Sequence, residues 1–205
     1  MQPSWPRITY TEAINILGEE ADTFEFRPVW GSGLQAEHER YIAQHVGGGR
    51  PVFVTDYPRD IKAFYMKQQP DSVDGAPAGS APGPTVECFD LLVPELCEIA
   101  GGSMREHRLP NLLAAMRRHD IATPPPLDDT AGTNPPVSSL AGNGETTTEP
   151  SSDSTLDWYV DLRRWGCPPH GGFGIGFDRL LCYLSGVRTI RDVVAFPRWF
   201  GRCDC

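Results

Sequence analysis

The sequence predicts an α+β fold in which an antiparallel β-sheet is flanked by helices. Residues 85–93 and 96–100 are apolar stretches separated only by Pro94 and Glu95, a pattern typical of two antiparallel strands joined by a tight turn. Segments with helical periodicity lie on both sides of this hairpin, and no internal repeat is present. Because 205 residues suffice for one sizeable core, we expect a single domain over residues 1–205.

The first third of the chain predicts two helices and two strands. Thr9 and Glu12 form a capping box that opens a short helix, which Gly18 ends. Residues 37–46 predict a second helix, which opens with Glu37, His38 and Glu39. These residues complement the helix dipole, although one of them could reach a nearby site. Residues 51–55 predict a buried strand, and residues 61–67 predict another after a turn.

The middle of the chain predicts further helices and two insertions. Ser103 and Glu106 form a second capping box, so we expect a helix to open there. Pro110 either kinks this helix or restarts it from a first turn. A helix also follows Leu156, and residues 190–194 predict a last helical turn or two. Residues 70–84 and 122–154 are rich in small and polar residues and proline, which predicts disordered insertions.

A glycine-rich segment near the C-terminus predicts a strand followed by a helix. Phe173, Ile175 and Phe177 alternate, and the intervening glycines leave the other strand face bare for a flat ligand or its phosphates. Leucines then recur at helical spacing up to a C-cap at Gly186, which places Arg179 in the first helical turn. A guanidinium there suits phosphate oxygens; a structural ion pair is an equally good interpretation of the residue alone.

Two carboxylates in the hairpin are candidate metal ligands. Asp90 and Glu98 lie an even number of positions apart, so we expect them on one face, where paired carboxylates can hold Mg²⁺ among phosphates. When these two residues are considered alone, the better interpretation is that one carboxylate caps a strand and the other faces solvent. The expected helix N-terminus at Ser103 and the neighbouring Arg105 favour anions beside Glu98. Together with Arg179, these residues predict a nucleotide site.

Lys62 and His170 are weaker candidates for contact with a substrate. Lys62, with Tyr65 three residues later, can supply a charge and a hydroxyl, but both are more often surface residues. His170 precedes the glycine-rich strand, where a structural role is the commoner one for a single histidine.

Composition argues against several classes of protein. A net charge of −9 argues against general nucleic-acid binding, although a local basic site is compatible with it. No apolar run reaches the ~20 residues that a membrane span needs. The six cysteines form no CxxC pair, which indicates neither a disulfide framework nor a zinc ribbon and favours a reducing compartment.

The succession of motifs resembles the asparaginyl-tRNA synthetases, a family of class II aminoacyl-tRNA synthetases, in the C-terminal part of their catalytic domain. The resemblance covers the chain except for the two insertions. The matching stretches are PRITYTEA at 6–13, AEHERY at 36–41, PVFVTDY at 51–57, IKAFYM at 61–66, DLLVP at 90–94, EIAGGSMR at 98–105, HGGFGIGFDR at 170–179 and IRDVVAFPR at 190–198. The stretch at 170–179 resembles the third signature motif of class II.

The resemblance implies a partial class II catalytic core and a two-step reaction. Asparagine is activated by ATP to an aminoacyl-adenylate, and the acyl group is transferred to tRNA(Asn). Asp90 and Glu98 would hold Mg²⁺ on ATP, and Arg105 would read the amino-acid side chain, with Lys62 and His170 also assigned to the substrate. Glu98 and Arg179 would act in catalysis. The residues that would bind ATP are Glu98, Gly174, Gly176 and Arg179.

The chain departs from the family pattern in ways that predict an incomplete enzyme. The first signature motif, which builds the homodimer interface, the second signature motif and the anticodon-binding domain have no counterpart, and Met104 stands where Gln is common. We therefore expect a fragment that cannot aminoacylate alone. An aspartyl-tRNA synthetase and a non-catalytic paralogue are the alternatives. The sequence at residues 169–172 and 196–200 resembles the organellar branch of the family. It predicts that the protein is located in the mitochondrial matrix, with the cytoplasm as the alternative.

Overall fold

The computed structural model describes residues 4–70, 81–124 and 156–201. These residues form two compact units: a sheet unit from Met1–His107 and Pro169–Cys205, and a helical unit from Arg108–Pro168. The predicted insertions at 70–84 and 122–154 lie largely outside the described residues, so their disorder stays a prediction, as does a single domain over residues 1–205.

The sheet unit is built on five strands whose order in the sheet is their order in the chain. They are β1 (Arg7–Thr9), β2 (Val52–Thr55), β3 (Cys88–Val93), β4 (Cys97–Met104) and β5 (Gly171–Ile175). The predicted antiparallel sheet is confirmed from β2 to β5. The sheet as a whole is mixed, because β1 pairs with β2 in parallel. This edge strand was not predicted, since three residues are too few to show a period of two.

Two helices cover one face of the sheet, α1 (Tyr10–Glu19) and α2 (Ala36–His45). The core between helices and sheet includes Leu17, Ile42 and Val54, none of which has any exposed surface. The predicted capping box is confirmed: Thr9 Oγ1 accepts the Glu12 N–H at 3.2 Å, and Glu12 Oε2 accepts the Thr9 N–H at 2.7 Å. Val54 pairs directly with Asp90, so this core packs on the same sheet face as Asp90.

The predicted strand at residues 61–67 is wrong. A 3₁₀ turn occupies Arg59–Ile61, and the chain then makes only isolated bridges, one of them between Met66 and Arg105. Local turns take the backbone donors that a ladder would need: the Lys62 N–H bonds the Arg59 carbonyl at 3.2 Å, and the Met66 N–H bonds the Ala63 carbonyl at 3.1 Å. The segment is therefore a loop.

The helix predicted to open at Ser103 is also wrong at its start. Ser103 pairs with Cys88 on one side and Gly172 on the other, so β4 continues to Met104. Pairing with two strands outweighs the local capping pattern. The helix α3 (Leu109–Arg118) begins later with Pro110 in its first turn, which confirms the restart that Pro110 allowed. The helix N-terminus predicted at Ser103, next to Glu98 in the hairpin, is therefore not formed.

The strand–helix unit near the C-terminus is confirmed. Helix α4 (Asp157–Arg164) lies in the helical unit with α3. In the sheet unit, helix α5 (Phe177–Ser185) follows β5. Gly186 caps α5 at φ 72°, the left-handed conformation that glycine adopts without strain. A short 3₁₀ turn follows at Ile190–Asp192. Among the described residues, no helix combines the length and apolar character of a membrane span.

Candidate functional site

A β-bulge places Asp90 and Glu98 on the same face of the sheet. Asp90 pairs with Gly101, but the register then shifts, and Leu92 pairs with Glu98 instead of Ile99. In an unbroken ladder Glu98 would face the opposite side from Asp90, since side chains alternate along a strand. The predicted shared face is therefore confirmed, but the bulge produces it rather than the even separation of the two residues.

The two carboxylates converge above Gly101. A Cβ added to Gly101 would lie 2.7 Å from Glu98 Oε1 and 3.1 Å from Asp90 Oδ1. Only a glycine leaves both oxygens room to approach the same point. Oxygen pairs of this kind suit Mg²⁺, which takes few protein ligands and completes its shell with phosphate oxygens and water. In the described part of the chain, no group of three or more His, Cys, Asp and Glu side chains is arranged to hold a metal.

Lys62 fixes the orientation of Asp90. Its Nζ lies 2.7 Å from Asp90 Oδ2, so the other oxygen, Oδ1, is the one directed toward Gly101. The ammonium also lies 3.9 Å from the centre of the Tyr57 ring. Burial raises the pKa of the Tyr57 phenol well above its usual value, and the negative charge of Asp90 raises it further, so this ring stays neutral. Sequence reasoning missed Tyr57.

Glu98 is held in an environment that disfavours its negative charge. Partial burial raises the pKa of Glu98, and the neighbouring charge of Asp90 adds to the increase, whereas Lys62 and Arg179 lower it. Two carboxylates that face each other in this way are stabilised by a cation bound between them. The electrostatics of the pair therefore fits the same ligand as its geometry.

Substituting Glu98 by Gln is expected to stabilise the fold near neutral pH. Because the folded-state pKa is raised, the native state binds more protons than the unfolded state above the ordinary glutamate pKa, and stability falls as pH rises through that window. Glu98→Gln should raise the free energy of unfolding at pH 7, by no more than about 1 kcal/mol because solvent screens the partly exposed carboxylate, and should change it little at pH 4. Urea unfolding at both pH values measures this.

Glu12→Gln is a matched control of opposite sign. The Thr9 backbone N–H, followed by the Thr9 side chain, lowers the pKa of Glu12, so this substitution should destabilise the chain at pH 7. A Glu98→Gln chain that is less stable than the parent at pH 7 would contradict the electrostatic description of the pair.

Arg179 reaches the backbone of Glu98 from the first turn of α5. Its Nη1 donates to the Glu98 carbonyl at 2.6 Å, and its side chain is exposed. A cleft of about 310 Å³ is lined by Glu98, Gly101, Gly174, Gly176 and Arg179, which brings together all four residues predicted to bind ATP. Gly174 pairs with Gly101 and has open space where a Cβ would stand. This bare surface suits a flat base or a phosphate chain.

Arg105 lies on the same sheet face as the carboxylates. A Cβ on Gly172 would stand 3.4 Å from Arg105 Nη2, and Gly172 shares its strand face with Gly174. The guanidinium lies 4.5 Å from the centre of the Tyr65 ring, which restricts its orientation. His170 accepts the Arg105 backbone N–H at 2.8 Å through its carbonyl, and its side chain is exposed.

Met104 faces away from this site. A Cβ on Gly171 would lie 2.9 Å from Met104 Sδ, and alternation along β4 puts Met104 on the opposite face from Ser103. The departure from the usual Gln at this position therefore leaves the face that carries Arg105 unchanged.

Glu39 is a further residue of the site, which confirms the expectation that one of the residues opening the second helix could reach it. Its Oε2 accepts the backbone N–H of Glu98 at 3.2 Å across 59 residues of sequence. Periodicity places Glu39 in the first turn of α2 but gives no sign of the strand that it meets. The sequence therefore could not show which residue of this turn reaches the site or which group it bonds.

A model of the class II tRNA synthetases (D, K and N) matches residues 1–200. The chain belongs to this family. The predicted fold, a partial class II synthetase core, is thereby confirmed, and solved synthetases share it. The asparaginyl-tRNA synthetase from Pyrococcus horikoshii complexed with asparaginyl-adenylate superimposes with a TM-score of 0.69 at 32% identity, covering 98% of this chain and 36% of that one. The aspartyl tRNA synthetase from Entamoeba histolytica, with a TM-score of 0.65 at 22% identity, shows the fold alone.

Curated relatives of this class II synthetase chain are asparagine–tRNA ligases. The ligase of Solibacter usitatus is 41% identical over 204 residues, covering 100% of this chain and 36% of the relative. The ligase of Geotalea uraniireducens is 44% identical over 195 residues, covering 95% of this chain and 33% of the relative. The chain thus spans about a third of the length of the curated relatives that it matches.

Proposed function

We propose that the chain is part of an asparagine–tRNA ligase, which activates asparagine with ATP and transfers it to tRNA(Asn). The observation that carries this proposal is the convergence of Asp90 and Glu98 above Gly101, in a cleft that also contains Arg179. The names of relatives that are 41% and 44% identical over nearly the whole chain support asparagine as the amino acid.

The nucleotide side of the site combines charge neutralisation with open space. Asp90 Oδ1 and Glu98 Oε1 would hold Mg²⁺, which would neutralise phosphate oxygens as the adenylate forms. Lys62 keeps Asp90 in position through its other oxygen. Arg179 supplies a permanently charged guanidinium at the edge of the same cleft, and its bond to the Glu98 carbonyl limits its movement.

The amino-acid side of the site is assigned to Arg105. Its guanidinium has only donors, so it suits the side-chain oxygen of asparagine, and stacking on Tyr65 orients it. The asparagine carboxylate then attacks the α-phosphorus of ATP, forming the acyl–phosphate bond as pyrophosphate leaves. These side chains bind, orient and neutralise the reactants, which is how much of the barrier to such a reaction is removed.

A chimaeric enzyme tests this function directly. In the ligase of Geotalea uraniireducens, the third that matches this chain would be replaced by the chain itself. We expect the chimaera to catalyse ATP–pyrophosphate exchange with asparagine and not with aspartate, and the 205-residue chain alone to catalyse neither. Exchange with aspartate only would favour the aspartyl alternative, because Arg105 also suits a carboxylate. No exchange in a folded chimaera would favour a non-catalytic paralogue.

We also propose the partners and the compartment of the whole protein. It would bind tRNA(Asn), use ATP and Mg²⁺, and act as a homodimer. Sedimentation-equilibrium ultracentrifugation, which measures the mass of the assembly, would test the homodimer. Location in the mitochondrial matrix stays a prediction from the sequence at residues 169–172 and 196–200, with the cytoplasm as the alternative. Imaging of the tagged protein in its own cells distinguishes the two.

A further inference from the structure

We infer that Glu39 is a positioning residue that fixes the backbone of Glu98 at the β-bulge. Its value for the enzyme rests on the proposed Mg²⁺ and ATP site, whereas its structural effect on Glu98 does not. Glu39 lies in the first turn of α2, and its Oε2 accepts the Glu98 N–H at 3.2 Å.

The bulge explains why Glu98 needs such support. A bulge interrupts the ladder and leaves backbone groups without their regular partners. At Glu98 both backbone groups are bonded by side chains from other elements: Glu39 accepts the N–H, and Arg179 Nη1 donates to the carbonyl at 2.6 Å. Helices α2 and α5 thus hold the same residue from two sides. A shift of this residue would move its carboxylate away from Asp90 and Gly101.

Glu39 acts through the backbone and not as a third metal ligand. Its side chain is partly buried, and the described residues contain no group of three acidic or other ligand side chains arranged for a metal. Burial raises the pKa of Glu39, as do the charges of Glu98 and Asp90, while the Glu98 N–H lowers it. The positioning role requires an acceptor oxygen within reach of the Glu98 N–H and does not require a charge on Glu39.

Two substitutions of Glu39 distinguish the effect of its side-chain length from the effect of its charge. Glu39→Gln keeps an acceptor oxygen at the same distance and loses the charge, whereas Glu39→Asp keeps the charge and shortens the side chain by one carbon, about 1.5 Å. The inference predicts that Glu39→Gln preserves the position of Glu98 and that Glu39→Asp does not. A metal ligand or a purely electrostatic role predicts the reverse order.

The first measurement is hydrogen exchange of the Glu98 amide by NMR in the full 205-residue chain. Exchange should be about tenfold faster in Glu39→Asp than in the parent, the change that the loss of one hydrogen bond produces, and within about twofold in Glu39→Gln, which keeps the acceptor oxygen. Glu37→Asp is the control. Glu37 lies in the same helix as Glu39, but its carboxylate accepts hydrogen bonds from the backbone N–H groups of Glu25 and Phe26 instead of Glu98. This substitution should leave exchange at Glu98 unchanged.

The second measurement is Mn²⁺ binding in the presence of ATP, with Mn²⁺ as a probe for Mg²⁺. Glu39→Asp should weaken binding about tenfold and Glu39→Gln about twofold or less. Equal exchange at the Glu98 amide in all variants, or faster exchange in Glu39→Gln than in Glu39→Asp, would overturn the inference. If the parent chain binds no Mn²⁺ with ATP, the proposed metal site fails, and amide exchange still decides the role of Glu39.

Discussion

Replacing Gly101 by alanine is expected to weaken metal-dependent ATP binding by about 100-fold while the chain stays folded. The new methyl group would lie 2.7 Å from Glu98 Oε1 and 3.1 Å from Asp90 Oδ1, inside the space where the two oxygens converge. Both are ends of flexible side chains, so they can move aside at little cost to stability, by about 1 kcal/mol or less. The oxygens would then no longer meet.

Calorimetric titration with ATP and Mg²⁺, alongside urea unfolding, measures both parts of this expectation. Gly18→Ala is a suitable control, because Gly18 lies in α1 with nothing within 4 Å of an added Cβ. This control should bind ATP as the parent does and gain slightly in stability, since alanine is the better helix former. Unchanged ATP affinity in Gly101→Ala would show that the carboxylates do not act at the point above Gly101.

Replacing the next glycine, Gly102, is expected to cost about 2–3 kcal/mol of folding free energy. Its Cβ would lie 2.6 Å from Phe173 Cβ, 2.8 Å from the Gly172 carbonyl oxygen and 2.8 Å from Phe89 Cε1. Two of these atoms belong to the backbone or are attached directly to it, so β4 and β5 must move apart. The loss falls on the pairing that supports the site.

The two glycine variants test opposite faces of one strand. Gly102→Ala should lose stability in urea unfolding and bind ATP only as far as it remains folded, whereas Gly101→Ala should lose affinity and keep stability. A Gly102→Ala chain as stable as the parent to within about 0.5 kcal/mol would show that β4 and β5 are not packed as closely as described.

Local signals in the sequence were enough to predict several elements correctly. The capping box of Thr9 and Glu12 involves residues three apart, and the cap at Gly186 needs only a left-handed backbone. The glycine-rich strand and Arg179 at the start of the next helix depend on periods of two and 3.6 residues within one short segment. Neighbours in the chain determine such features, so the sequence alone sufficed for them.

Features that depend on pairing between distant segments could not be predicted in this way. The capping pattern at Ser103 is locally sound, but Cys88 and Gly172 both pair with Ser103 and extend the strand. The shared face of Asp90 and Glu98 depends on a register shift that no spacing rule contains. Glu39 reaches the Glu98 N–H across 59 residues.

The central claim is that Asp90 and Glu98 together hold the divalent cation that accompanies ATP. Electron paramagnetic resonance of Mn²⁺ titrated into the 205-residue chain, with and without ATP, tests it most directly. We predict one Mn²⁺ site that requires ATP and that is lost equally in Asp90→Asn and Glu98→Gln, while both variants remain folded. Mn²⁺ binding that is independent of ATP, or that persists in either variant, would contradict the claim.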